Sequence, residues 1–205
     1  MSTVPESGVV SPPAEQSAIN LAQLPPAPPT TVAVIEGIAT GGPQREVDQT
    51  LAAAHVAGLF ADPQQRERIP RLYAKTRIGS RRMAVDPLNP EFDAFRRGPG
   101  TIRDRMNLFF DNAVPLAVDT ARRALAGLQY RTDEIGLLVF VTSTGFIAPG
   151  VDVAVVKELG LSRSVSRVVI NFMGCAAAMN AIRTAVTYVR AHPSMKALVV
   201  CIELC

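Results

Sequence analysis

Three segments of this chain read as strands buried on both faces: "EIGLLVFVTSTG" (134–145), "SRVVINFMG" (166–174) and "KALVVCIEL" (196–204). Each is short, apolar and rich in β-branched residues, and none alternates cleanly between polar and apolar. Between them lie "GVDVAVVKELGL" (150–161) and "CAAAMNAIRTAVTYVRAH" (175–192), which are helical in pattern, the second stopped by Pro193. Doubly buried strands alternating with helices demand a sheet covered by helices on each side, an α/β layered fold. Upstream, "TVAVIEGIAT" (31–40) predicts a further buried strand. "REVDQTLAAAHVAGLF" (45–60) predicts an alanine-rich helix with Asp48 as its N-cap. "TIRDRMNLFFDNAVPLAVDTARRALAGL" (101–128) predicts a long helix ending near Gly127, with a kink at Pro115.

The composition suits such layers. Of 205 residues, 48% are hydrophobic, but only 5% are aromatic and none is Trp, so the core is built from Ala, Val, Leu and Ile. Residues 1–30 contain "LPPAPPT" and few large apolar groups, and predict a Pro-rich flexible arm ahead of one domain over 31–205. No apolar run reaches the ~18 residues that a bilayer span needs. The opening "MSTVPESGVV" lacks the basic and apolar regions of a secretory leader. Cys175, Cys201 and Cys205 have no metal-ligand spacing and form no disulfide framework, so no metal and a cytoplasmic location are expected. The run 196–204 looks central yet has no helix after it, from which we expect these residues to be the first part of a longer protein.

Net charge is +3, but Arg66, Arg68, Arg71, Lys75, Arg77, Arg81 and Arg82 crowd one segment against the single acid Glu67. Arg68, Arg71 and Lys75, spaced i, i+3, i+7, fall on one helical face, with Pro70 weakening the helix. Such a face either binds an anion or is simply solvated. Nucleic acid is disfavoured by the modest overall charge and by the lack of interleaved aromatics.

"NFMGCAAAMN" (171–180) places Cys175 at a strand-to-helix junction. In open α/β sheets ligands gather at that edge. Unpaired N–H groups at a helix start favour a thiolate and can stabilise an oxyanion. Gly174 allows close approach of a carbonyl, and Ala176–Ala178 leave space around the sulfur. A buried, inert cysteine is the other reading of the same residues. A base is needed for the first, and only His55 and His192 exist. His192 lies about 25 Å along its helix, and nothing places His55 by the sulfur. Phe172 and Met173 are expected in the core or at a dimer interface, and Cys201 and Cys205 are expected to pack.

"TSTGFIAPGVDVAVVKELGLSRSVSRVVINFMGCAAAMNAI" followed by "ALVVCIELC" resembles the nucleophile region of type III polyketide synthases, the chalcone synthase-like enzymes of thiolase fold. "LAQLPPAPPTTVAVIEGIATG" and "RIPRLYAKTRIGSRRMAVDP" are similar to actinobacterial long-chain alkylpyrone synthases, so the resemblance covers about residues 20–205. It implies the N-terminal half of the αβαβα architecture. It implies that Cys175 accepts a fatty acyl starter from coenzyme A and holds it while malonyl-CoA extends it to an alkylpyrone. Ser143 and Thr144 fall on small hydroxyl residues beside the starter pocket, with Gly174 at the nucleophile. Ala148 falls where plant members carry a methionine that crosses the dimer. Arg68, Arg71 and Lys75 fall on the residues that grip coenzyme A phosphates. The implied partners are acyl-CoA, malonyl-CoA and a second copy in a homodimer. The coenzyme A thioesters are substrates, and no separate cofactor is implied. The family's catalytic histidine and asparagine match no position here, so these 205 residues alone are expected to be inactive. Two other readings stand beside this one: a ketoacyl synthase III-like condensing enzyme, and a non-catalytic fragment keeping only a coenzyme A or dimer surface.

Overall fold

The computed structural model of the chain describes residues 32–90, 98 and 100–204. The expected arm over 1–30 and Cys205 lie outside them. The elements run β1 (Arg45–Asp48), α1 (Gln49–Gly58), α2 (Pro63–Thr76), β2 (Ser80–Met83), α3 (Ile102–Leu125), β3 (Ile135–Thr142), α4 (Val151–Leu159), β4 (Ser166–Asn171), α5 (Ala177–Ala191) and β5 (Lys196–Cys201). β1 and β2 form an antiparallel pair, while β4, β3 and β5 form a parallel sheet in that order.

β3 occupies the centre because its side chains are apolar on both faces. Leu138, Phe140 and their neighbours on β5 meet α3 and α4 on one side, where Phe109, Ala113, Ala117, Val151 and Val155 are buried. Leu137, Val139 and Val141 meet Ala177 and Ala181 of α5 on the other. Each large buried side chain contributes about 1.5–3 kcal/mol relative to exposure. The small residues of α3 and α5 let those helices lie close to the sheet. Helix, sheet and helix therefore stack in three layers, as the strand runs require.

Local signals set most helix ends. Asp48 caps α1, accepting from the N–H groups of Thr50 and Leu51 at 2.8 and 3.0 Å. These bonds, that to Leu51 first, hold its carboxyl below the usual carboxylate range. Thr101 and Asp104 form a reciprocal capping box at α3. Gly160 ends α4 in the left-handed conformation. α2 runs through Pro70, and α3 runs through Pro115.

Three expectations change, and a fourth narrows. Residues 32–40 form no strand, and Val32, Val34, Ile35 and Ile38 are exposed. A strand needs a neighbour, and this segment instead runs beside α3. A Cβ on Gly37 would sit 2.2 Å from the Ala124 carbonyl oxygen, the Thr40 carbonyl accepts from Arg123, and Glu36 pairs with Lys196 of β5. β4 is not buried, because it has β3 on one side and no described strand on the other. The run 196–204 is not central, since β5 flanks β3 opposite β4. Phe172 and Met173, expected in the core or at a dimer interface, are 68% and 56% exposed, which leaves the second of those two places.

A half-buried ion pair ties α4 to the β4 edge. Arg167 Nη1 donates to Asp152 Oδ2 at 2.6 Å, and the Asp152 side chain is only 7% exposed.

Gly145, just past β3, is required by packing. An added Cβ would lie 2.0 Å from the ring of buried Phe109. Gly145→Ala should therefore cost about 2 kcal/mol in urea denaturation, as overpacking does. Gly79→Ala, which meets nothing within 4 Å, should stay within about 0.5 kcal/mol of the parent.

Candidate active site

The three parallel strands deliver their carboxyl ends to one edge, and the turns that follow them build the site. After β4, Phe172 and Gly174 adopt left-handed conformations, with φ of 59° and 65°. Phe172 is an outlier there, since a bulky side chain pays for that conformation. Gly174 opens a 3₁₀ turn, Gly174–Ala176, whose middle residue is Cys175. Cys175 thus precedes α5 rather than beginning it. It is a free, exposed thiol.

Neither the 3₁₀ turn nor α5 has a side-chain cap at its start. The Ala177 N–H donates to the Gly174 carbonyl inside the turn, and the turn sits at the positive end of the α5 dipole. A Cβ at Gly174 would meet nothing within 4 Å. Ala177 and Ala181, both 0% exposed, lock α5 against β3 behind it. This arrangement can present a sulfur nucleophile beside oxyanion donors.

The adjacent turn, after β3, contains Ser143 and Thr144. A residue that sequence reasoning passed over organises it. The Glu203 carboxylate accepts from the Ser143 N–H at 2.8 Å, the Thr144 N–H at 3.0 Å and the Thr144 hydroxyl at 2.7 Å. The Leu204 N–H donates back to Thr144 Oγ1 at 3.0 Å, closing the link between the ends of β3 and β5. Its sequence signal is an acid directly after an apolar strand, "VVCIEL". The Ser143 hydroxyl is buried without a partner among the described residues. Cys201, at the end of β5, has its thiol pushed up by burial and then by the Glu203 charge, the reverse of an activated nucleophile.

Thr142 and Asn171 are register partners, so the turn of Ser143 and Thr144 and the turn of Cys175 leave neighbouring strands at the same level. Ala148, further along the first turn, is exposed. Phe146 on that turn lies 5.9 Å from Phe172 on the other, ring centre to ring centre.

Arg68, Arg71 and Lys75 do share a face of α2, and all three are exposed. α2 packs on α1, and Arg71 also bonds Glu67 one turn earlier. Arg77 ends α2 in the left-handed conformation, and Arg82 lines an open cavity with Glu203. His192 stacks on Tyr188 at 4.4 Å and lies at the far end of α5 from Cys175. His55 sits on α1. Among the described residues no cluster of His, Cys, Asp and Glu could hold a metal ion.

Residues 29–205 match the N-terminal domain of chalcone and stilbene synthases. The chain belongs to this family of type III polyketide synthases. Over all 205 residues it is 71% identical to the alpha-pyrone synthesis polyketide synthase-like Pks18 of Mycobacterium tuberculosis, of which it covers 52%. The C-terminal type III domain of Steely1 from Dictyostelium superposes with a TM-score of 0.77 at 32% identity, over 83% of this chain and 47% of that one. PKS-I of the brown alga Ectocarpus siliculosus gives 0.68 at 40% identity, over 83% and 48%. The chain spans about half the length of these relatives, and its layers have the thiolase-like fold of type III polyketide synthases.

If the Glu203 carboxylate holds the turn after β3, Glu203→Ala should speed hydrogen exchange at Ser143 and Thr144 and cost about 1.5 kcal/mol. Glu203→Gln, which keeps one acceptor oxygen, should lose less. Exchange unchanged in the alanine variant would show that the tether does not hold the turn.

Proposed function

We propose that this chain carries the acyl-loading half of a type III polyketide synthase that makes alkylpyrones. The observation that carries the reading is Cys175 itself: a free, exposed thiol on a turn at the strand ends, next to an uncapped helix start. The thiolate attacks the carbonyl carbon of a fatty acyl-CoA. The bond from that carbon to the coenzyme A sulfur breaks, coenzyme A leaves as thiol after taking a proton, and the acyl group remains on Sγ. Helix N–H groups stabilise the oxyanion formed on the way. Decarboxylative condensation with malonyl-CoA then extends the chain, and ring closure releases the pyrone. The name of the Mycobacterium relative, with its alpha-pyrone synthesis, supports this product class.

Arg68, Arg71 and Lys75 are assigned to the phosphates of coenzyme A, since three cations on one exposed face suit a diphosphate and a 3′-phosphate. Ser143, Thr144 and Gly174 are assigned to the starter pocket. Ala148, being small and exposed, is assigned to its length-determining wall. The homodimer is supported by the open edge of β4, where Val168, Val169, Phe172 and Met173 are exposed. No helix among the described residues is long and apolar enough to cross a membrane, and we assign the enzyme to the cytoplasm, with its coenzyme A substrates. The second reading, a non-catalytic fragment, is favoured by one observation: His192 is too far from Cys175 to serve as its base.

Loading discriminates the two. Incubation with a long-chain acyl-CoA should add one acyl mass to the peptide containing Cys175, and Cys175→Ala should abolish it. Labelling that persists in the variant refutes the nucleophile, and no labelling of the parent chain supports the fragment. Ala148→Met should shift loading toward shorter acyl-CoAs by about tenfold, the scale set by a few methylenes in an apolar pocket. An unchanged chain-length profile would remove Ala148 from the pocket wall.

A further inference from the structure

On the α3 and α4 side of the sheet, register pairs Phe140 with Val169 and Thr142 with Asn171. Side chains two apart on a strand share a face, so these four form a square patch on one side of the sheet. Phe109 of α3 and Asp152 of α4 line it as well, leaving a partly open cavity of about 30 Å³. Its polar lining residues are Thr142, Asp152 and Asn171. Asn171 Oδ1 is buried and has no partner among the described residues. Asp152 gives Oδ2 to Arg167 and turns Oδ1 toward Gly150, another residue of the cavity wall. The Thr142 hydroxyl is directed to Glu203 and Thr144, at 3.4 and 3.5 Å.

We propose that this cavity is a binding site for one ordered water that donates one hydrogen bond to Asn171 Oδ1 and the other to Asp152 Oδ1. Three arguments converge. A buried amide oxygen left unpaired costs about 1–3 kcal/mol, and native interiors satisfy such atoms. Asn171 Oδ1 and the Asp152 carboxylate are acceptors, so an occupant that pairs with both is a donor. The charge of Asp152 is already met by Arg167, so a neutral donor fits where a cation would bring excess charge into a box otherwise made of Phe109, Phe140 and Val169. The size agrees: a water needs roughly 10–15 Å³ of such space and two or more polar partners.

The position gives the water a structural task. Asn171 is the last residue of β4, and the next three residues, of which Phe172 and Gly174 are left-handed, lead to Cys175. The water fastens that strand end to the start of α4, so the turn departs from a fixed point. This inference stands on the cavity and its oxygens, independently of what Cys175 does.

A crystal structure of the chain at high resolution should show one water within hydrogen-bond distance of Asn171 and Asp152. Absent density, or an Asn171 amide nitrogen bonded directly to Asp152, would overturn the site. So would an anomalous signal there after rubidium soaking, which would make the occupant a cation. Asn171→Leu supplies a second measurement. Where the water satisfies the amide oxygen, leucine gains nothing by removing it, and the melting temperature should stay level or fall. A clear rise in melting temperature is the mark of an orphaned oxygen and would refute the proposal.

Discussion

The burial of β3 on both faces is the constraint on which the rest of the parallel unit depends. Leu138 and Val139, adjacent on the strand, point to opposite sides and are both 0% exposed. Two cores therefore have to form at once, one under α3 and α4 and one under α5. With both faces closed, the strand can satisfy its backbone groups only through neighbours in the plane, and β4 and β5 supply them as parallel partners. Parallel pairing requires a crossover between strands, and helices α4 and α5 are those crossovers. The same arrangement carries all three strand ends to one edge, which is where the chemistry collects.

At that edge the chain trades regular structure for placement. Phe172 accepts a left-handed backbone, and the turn it begins leaves Cys175 exposed rather than packed. The neighbouring turn has no ladder to hold it, and the Glu203 carboxylate does so by taking two N–H groups and a hydroxyl. The aromatic contact between Phe146 and Phe172 joins the two turns from the solvent side. A rigid sheet with short, tethered turns is a good mount for a nucleophile, because little of the site's geometry is left to long loops.

Much of this was legible in the residues. The runs at 134–145, 166–174 and 196–204 located the three parallel strands, and Asp48 located the start of α1. The exposed basic face of α2 followed from spacing alone. What failed, failed for a shared reason. The apolar pattern at 31–40 promised a buried strand, but apolar residues report a preference for burial and not the presence of a pairing partner. The same limit made β4 look buried and β5 look central. Family resemblance named Cys175, Ser143 and Thr144 but passed over Glu203, whose role depends on meeting a turn 59 to 60 residues earlier.

By itself the sequence determined the three parallel strands and the helices beside them, the layered α/β class and the junction where Cys175 lies. Those properties are local, set by period, capping and the chemistry of a few adjacent residues. Only the tertiary structure decided that β3 is central, that the sulfur sits in a 3₁₀ turn ahead of α5, and that Glu203, Asp152 and Asn171 stand guard over the strand ends. Those depend on the path of the chain through space, where oxygen and nitrogen atoms far apart in sequence come within 3 Å or are left facing a cavity.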